Sequence, residues 1–318
     1  MTPTIILLLG LVLLFFGGES LVRGSVAIAL KMRISTLVVG MTIVSFATSA
    51  PELFVSLQAV LDGSSDIAFG NVIGSNIANI TLVLGVTALT FRVQISEQTI
   101  TLNYPVLLLS SLVFGGVLYY FNGIPQEVGF LFLFLLVVFS WVLISKSRRD
   151  ILNAATDEDE MLLEVSDDSL FKSLGFLLAG IVLLKFGADY LVDGTIAIAK
   201  KFEISERVIA VTVVAIGTSI PELATSIVAA LKKEDNLAVG NLIGSNIFNI
   251  LAVLGVTASI KEINIIDAEI FTFDYMWMIA ITLIVGLFIY TFSKSQISRK
   301  EGIVLLLIYI SYLYFSLS

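Results

Sequence analysis

The sequence predicts an all-α membrane protein of ten transmembrane helices, arranged as two inverted five-helix repeats. Composition is the first reason: 57% of the 318 residues are hydrophobic and 14% are charged, against roughly 25% charged in a soluble domain, and the mean hydropathy is +1.00. Internal repetition is the second. Residues 70–88, GNVIGSNIANITLVLGVTA, return as residues 240–258, GNLIGSNIFNILAVLGVTA, with fifteen of nineteen positions identical at an offset of 170. The third is parity: each copy holds an odd number of apolar runs, so the second enters the bilayer from the opposite side to the first.

The runs long enough to cross a bilayer, about 17 to 25 residues, fall near 4–22, 35–61, 67–90, 102–121 and 127–145, then 171–193, 206–231, 237–260, 274–293 and 302–317. The fourth is interrupted by Pro105 and Gly115-Gly116. The first has the length of a secretory signal, but it lacks a basic leading segment and its matching copy at 171–193 is internal. It is therefore read as a span. This gives a first repeat at 1–145, a polar acidic linker at 146–170 and a second repeat at 171–318. The linker is read as a solvated connector, although Ile151, Leu152, Met161, Leu162 and Val165 could form one apolar face. Its acidic run lacks the glycine and spacing of an EF-hand loop.

Basic residues set the orientation. Taking loops alternately, one side carries twelve, including Lys31, Arg33, Arg92, Lys146, Arg148 and Arg149, and the other carries four, Lys200, Lys201, Arg207 and Lys261. The richer side is cytoplasmic, so both termini face out and the linker lies inside. The expected location is the plasma (cell inner) membrane, with the lipid bilayer as the surroundings.

Cysteine and histidine are both absent. That excludes thiolate or imidazole metal sites and disulfides, so a metal ion must be held by oxygen. The net charge of −8 owes much to the linker, and no nucleic-acid or protein partner is implied. An intramembrane hydrolase is disfavoured because Ser49 and Ser219 have no nearby lysine or histidine base. The chain is not expected to be an enzyme or to need a cofactor.

Chemistry concentrates in the repeated motifs. Thr48-Ser49-Ala50-Pro51-Glu52-Leu53 becomes Thr218-Ser219-Ile220-Pro221-Glu222-Leu223. A carboxylate in an apolar stretch is costly unless it handles a substrate. Proline removes the hydrogen bond to the carbonyl four residues back, so Pro51 frees the carbonyl of Ala47, Pro221 frees that of Gly217, and the carbonyls of Thr48 and Thr218 can swing toward a ligand. Ser49, Glu52 and Ser56 share one helix face by spacing. On the next span Asn71, Ser75 and Asn79 stand four apart, as do Asn241, Ser245 and Asn249. Asn71 and Asn241 are read as helix-to-helix bonds, and Gly70, Gly74, Gly240 and Gly244 as small residues permitting close helix approach. Glu19, Arg23, Lys185, Asp189 and Asp193 are read as interfacial groups or local ion pairs.

Two carboxylates and freed carbonyls meet calcium's demand for six to eight oxygens better than magnesium's rigid octahedron. Sodium could use the same oxygens singly with the hydroxyls of Ser49, Ser75, Ser219 and Ser245. Empty, the two carboxylates repel each other, so only a filled site is expected to close and turn to the other side.

These paired motifs resemble the two alpha-repeats of the sodium/calcium exchanger family, in the cation/calcium exchanger superfamily, over nearly the whole chain. The resemblance implies ten helices in inverted halves and a calcium/sodium antiporter of the compact prokaryotic type. It makes Glu52 and Glu222 the central metal ligands, with backbone carbonyls from Thr48 and Thr218. Ser49, Ser219, Ser75 and Ser245 would serve flanking sodium sites, and Asn79 and Asn249 would complete the centre. Some relatives carry aspartate where this chain has Asn249, and proton-coupled relatives carry a glutamate near Gly74 and Ser75. A proton/calcium antiporter and a calcium channel are the alternatives.

Overall fold

The computed structural model describes residues 2–154, 169–202, 215–265, 267–292 and 295–317. Within them the chain is an all-α membrane protein with, besides the single turn Ala215–Gly217, eleven helices: α1 Pro3–Met32, α2 Thr36–Thr48, α3 Ala50–Leu61, α4 Ser65–Thr90, α5 Thr99–Phe121, α6 Gln126–Ala154, α7 Leu170–Lys201, α8 Ile220–Leu231, α9 Asp235–Ile260, α10 Ile270–Phe292 and α11 Arg299–Leu317. Among the described residues seven helices are long and apolar enough to span a bilayer, and α2 with α3, bent by 43°, makes an eighth. The start of the run expected at 206–231 and the face expected within the linker lie largely outside the described residues, as does Arg207.

Several helices outrun their predicted spans. α1 has 30 residues and α7 has 32, about 45 Å at 1.5 Å per residue, against a hydrocarbon core of about 30 Å. Their surplus turns carry Lys31, Lys200 and Lys201, whose stems can reach water from a helix end. α6 likewise continues past position 145 to Ala154, through Lys146, Arg148 and Arg149, all compatible with helix once outside the bilayer.

α1 and α7 pack antiparallel along a seam of glycines spaced by seven. A Cβ on Gly10, Gly17 or Gly24 would come within 2.6–2.8 Å of the backbone nitrogens of Leu191, Leu184 and Leu177. Gly180, Gly187 and Gly194 meet Leu21, Leu14 and Leu7 in the same way at 2.6–2.8 Å. Small residues let backbones touch where lipid supplies no hydrophobic drive between helices. The outward faces are apolar: Leu8, Leu11 and Phe15 on α1, Phe130, Phe134 and Trp141 on α6, and Leu178 and Phe186 on α7 are all exposed.

α4 and α9 sit at the centre, with Ile73, Ile77, Val83, Leu237, Ile247 and Leu254 fully buried. α2 packs on α9 where a Cβ on Gly244 would stand 2.6 Å from Met41 Cα and one on Gly240 would meet the Leu37 carbonyl at 2.5 Å, the close approach expected there. The corresponding partner of Gly70 and Gly74, residues 207–215, lies almost wholly outside the described residues.

α5 and α10 are locked reciprocally. Tyr104 donates to the Thr282 carbonyl at 2.9 Å in the space left by Gly286, and Tyr275 donates to the Ser111 carbonyl at 3.1 Å in the space left by Gly115. Pro105 lies at the start of the α-helical stretch Tyr104–Phe121 rather than breaking it. Two antiparallel ladders tie loops of the two sequence halves together: β1 Val93–Gln94 pairs with β4 Gln296–Ile297, and β2 Gly123–Ile124 with β3 Ile263–Asn264.

Candidate cation-binding site

The site forms where two helices begin in the middle of the fold. Pro51 does not kink a continuous helix. The chain breaks at Ser49 (φ −84°, ψ 5°) and α3 starts anew with Pro51 in its first turn, where a missing N–H costs nothing because that donor has no helical partner anyway. Ser219 (φ −86°, ψ 1°) and Pro221 repeat the arrangement at α8. Glu52 and Glu222 thus stand in the first turns of α3 and α8, the ends whose dipoles favour negative charge.

Both carboxylates are fully buried. Ser75 on α4 donates to Glu52 Oε1 at 3.4 Å and lies 3.4 Å from the Thr218 hydroxyl, which itself faces Glu52. Across the centre the Thr48 hydroxyl faces Glu222, donates to Asn241 Oδ1 at 3.2 Å and lies 3.3 Å from Ser245 Oγ. Each threonine therefore faces the carboxylate of the other half.

Asn79 and Asn249 both open π-helical turns, Asn79–Val83 in α4 and Asn249–Val253 in α9. A π turn inserts a residue into the helical ladder and re-aims the side chains around it. Both asparagines are buried and their amide nitrogens bond across the interface, Asn79 to Asn246 Oδ1 at 3.4 Å and Asn249 to Asn76 Oδ1 at 3.0 Å.

What remains is a set of buried oxygens without a protein donor among the described residues. Ser49 Oγ, Glu52 Oε2, Asn79 Oδ1, Ser219 Oγ, both carboxylate oxygens of Glu222 and Asn249 Oδ1 all belong to it. Buried polar atoms are rarely left unpaired. Thr225 Oγ1, one turn beyond Glu222, is also unpartnered and was not singled out by sequence, because its counterpart is Val55. Asn76 and Asn246 were missed as well, although the repeated GN-x-x-GSN motif contains them.

Other sequence readings resolve locally. Asn71 donates to the Glu52 carbonyl at 3.1 Å and to Ser56 Oγ at 2.9 Å, and Asn241 donates to Ser226 Oγ at 3.4 Å, so both make helix-to-helix bonds. Lys185 pairs with Asp189 at 2.6 Å and Lys232 with Glu19 at 3.0 Å, while the Arg23 guanidinium lies 4.2 Å from the centroid of the Phe176 ring.

The family profile described as sodium/calcium exchanger protein matches residues 2–145 and 172–318. The chain belongs to that family. This exchanger is therefore a transporter rather than an enzyme, and the family assignment makes it a membrane cation antiporter. It is 37% identical to the inner membrane protein YrbG of Escherichia coli (strain K12), over 95% of this chain and 93% of YrbG. It is 31% identical to the sodium/calcium exchanger MaX1 of Methanosarcina acetivorans, over 97% of each chain. Its fold superposes on the sodium-calcium exchanger NCX_Mj soaked with 2.5 mM Na+ and 0.1 mM Ca2+ with a TM-score of 0.81, at 30% identity and covering 99% of both chains.

A cavity of about 710 Å3 has Thr48, Pro51, Thr218 and Pro221 among its lining, and Lys185, Asp189 and Asp193 of α7 along one wall.

Proposed function

We propose that this exchanger is a secondary active antiporter that moves calcium against sodium by alternating access. One observation carries the reading: two fully buried carboxylates stand among unpartnered oxygens, and no lysine or arginine occurs in residues 36–61, 65–90, 216–231 or 235–260 to neutralise them. An uncompensated pair of charges at that depth needs a counter-charge, and one divalent ion balances two glutamates. Glu52 and Glu222 would hold calcium, with carbonyls from Thr48 and Thr218 and the amide oxygens of Asn79 and Asn249 completing a shell of the size calcium takes. Ser49, Ser75, Ser219 and Ser245 would add hydroxyls when sodium occupies the same region. The names of MaX1 and NCX_Mj support sodium as the coupling ion.

The same reading places the chain in the plasma membrane as ten spans, 1–145 and 171–318 being inverted halves joined by a cytoplasmic 146–170, with both termini outside. Its support is the excess of basic residues on one side and the recurrence of helix bounds at an offset of 170, Ala50–Leu61 against Ile220–Leu231.

Calcium-45 uptake into proteoliposomes tests the coupling. A sodium gradient alone is expected to drive accumulation. Drive by a proton gradient alone would mean proton/calcium exchange, and uptake indifferent to both would mean a channel. The cavity wall makes a second, smaller prediction. Lys185→Ala leaves Asp189 without its lysine partner beside the cavity and raises the local cation concentration. The half-saturating calcium concentration should fall about two- to threefold at low ionic strength, with the difference shrinking as salt screens it. An unchanged or raised value contradicts that role.

A further inference from the structure

Asn79 and Asn249 can serve a cation only if their amides present oxygen to it, and a primary amide has two faces of opposite character. Their neighbours decide which face shows. Asn76 Nδ2 donates to the main-chain carbonyl of Asn246 at 3.4 Å, with the Met278 sulfur also 3.7 Å away. A carbonyl only accepts, so that contact fixes Asn76 with its oxygen on the opposite side. There Asn76 Oδ1 takes the amide nitrogen of Asn249 at 3.0 Å. Asn249 Oδ1 is thereby turned away from that hydrogen bond, buried and without a donor among the described residues. In the other half Asn246 Oδ1 takes the amide nitrogen of Asn79 at 3.4 Å, and Asn79 Oδ1 is left in the same condition. All four asparagines are buried to 2% exposure or less.

We propose that Asn76 and Asn246 are positioning residues: by accepting from Asn249 and Asn79 across the interface, they hold two amide oxygens toward the Glu52–Glu222 centre and set cation affinity without touching the ion. The crossed pattern adds a consequence. Each half aims the ligand of the other, so a shift between α4 and α9 at this level would release both amides together. The inference rests on the exchange reading above and names the residues that tune its site.

The test is a pair of double-mutant cycles read by calcium-45 binding to the detergent-solubilised protein and by uptake into proteoliposomes. Asn76→Ala and Asn249→Ala should each weaken apparent calcium affinity about tenfold, the lower end of what loss of a ligand-orienting partner costs at metal sites. Their double variant should be no weaker than the more affected single one, because both act through one amide oxygen. Maximal uptake by Asn76→Ala, which removes no ligand, should stay within about twofold of wild type. Asn246→Ala with Asn79→Ala gives a second, independent cycle and decides the matter if Asn76 variants do not fold. Tyr104→Phe is the control: it also removes a buried bond between the sequence halves, and it should lower thermal stability while leaving calcium affinity unchanged.

Additive cycles, unchanged affinity in Asn76→Ala, or an equal affinity loss in Tyr104→Phe would overturn the positioning role while leaving sodium-driven exchange by the wild type intact. A wild-type protein that neither binds nor moves calcium overturns the exchange reading, and this inference with it.

Discussion

Glu52→Gln and Glu222→Gln should each cut calcium exchange by roughly two to three and a half orders of magnitude while leaving the protein folded. Glutamine keeps the shape of the side chain and removes one of the two charges that would balance a divalent ion. Removing one partner of a buried ionic set leaves the other charge uncompensated and costs about 3–5 kcal/mol, which at about 1.4 kcal/mol per decade is a loss of roughly a hundredfold to a few thousandfold. Stability should move the other way. Both carboxyl groups are fully buried and Glu222 has no hydrogen-bond partner for either oxygen among the described residues, so replacing either with a neutral amide removes the cost of burying a charge in the ion-free protein. Thermal unfolding in calcium-free detergent should therefore show each variant at least as stable as wild type, and added calcium should stabilise only the wild type. A variant that exchanges calcium normally, or that fails only because it unfolds, contradicts this assignment.

The second large effect is structural. Gly187→Leu should separate α1 from α7 and sharply lower the unfolding temperature, because its Cβ would lie 2.8 Å from the backbone nitrogen of Leu14. Overpacking typically costs about 1–3 kcal/mol. Here the obstacle is backbone, which cannot rotate aside, so the upper end of that range is expected. Gly17→Leu should behave alike through Leu184, at 2.8 Å. Gly116→Ala meets nothing within 4 Å and should be neutral or slightly stabilising, since alanine is the better helix former. Equal losses at Gly187 and Gly116 would mean that the seam does not hold the two helices together.

The convergence of the two glutamate motifs was legible in the sequence for a simple reason. A carboxylate beside a proline in an apolar stretch is conspicuous, and finding it twice at one offset points to a shared centre. Glu52, Glu222, Thr48, Thr218, Ser75 and Ser245 do converge. That Pro51 and Pro221 stand in the first turns of new helices rests on the turn at Ser49 and Ser219 and not on composition.

The π turns at Asn79 and Asn249 left no such mark. They depend on how α4 and α9 meet their neighbours, and a local pattern of apolar residues looks the same with or without an inserted residue. The hydrogen bonds that orient Asn76 and Asn246 are likewise a property of the interface. The glycine seam, by contrast, was visible: Gly10, Gly17 and Gly24 recur at 180, 187 and 194, and a search for spacing of seven would have found it. Helix ends were unreadable beyond the bilayer, because charged residues such as Lys146 and Arg149 stop a membrane span without stopping a helix.

The central claim is that Glu52 and Glu222 jointly hold one divalent ion. Anomalous diffraction from crystals soaked in strontium, a heavier stand-in for calcium, tests it most directly. The account predicts a single strong peak within roughly 2.3–2.6 Å, the calcium–oxygen range, of carboxylate oxygens from both residues. A peak bound to only one of them, separate peaks at each, or density elsewhere with none between them would contradict it.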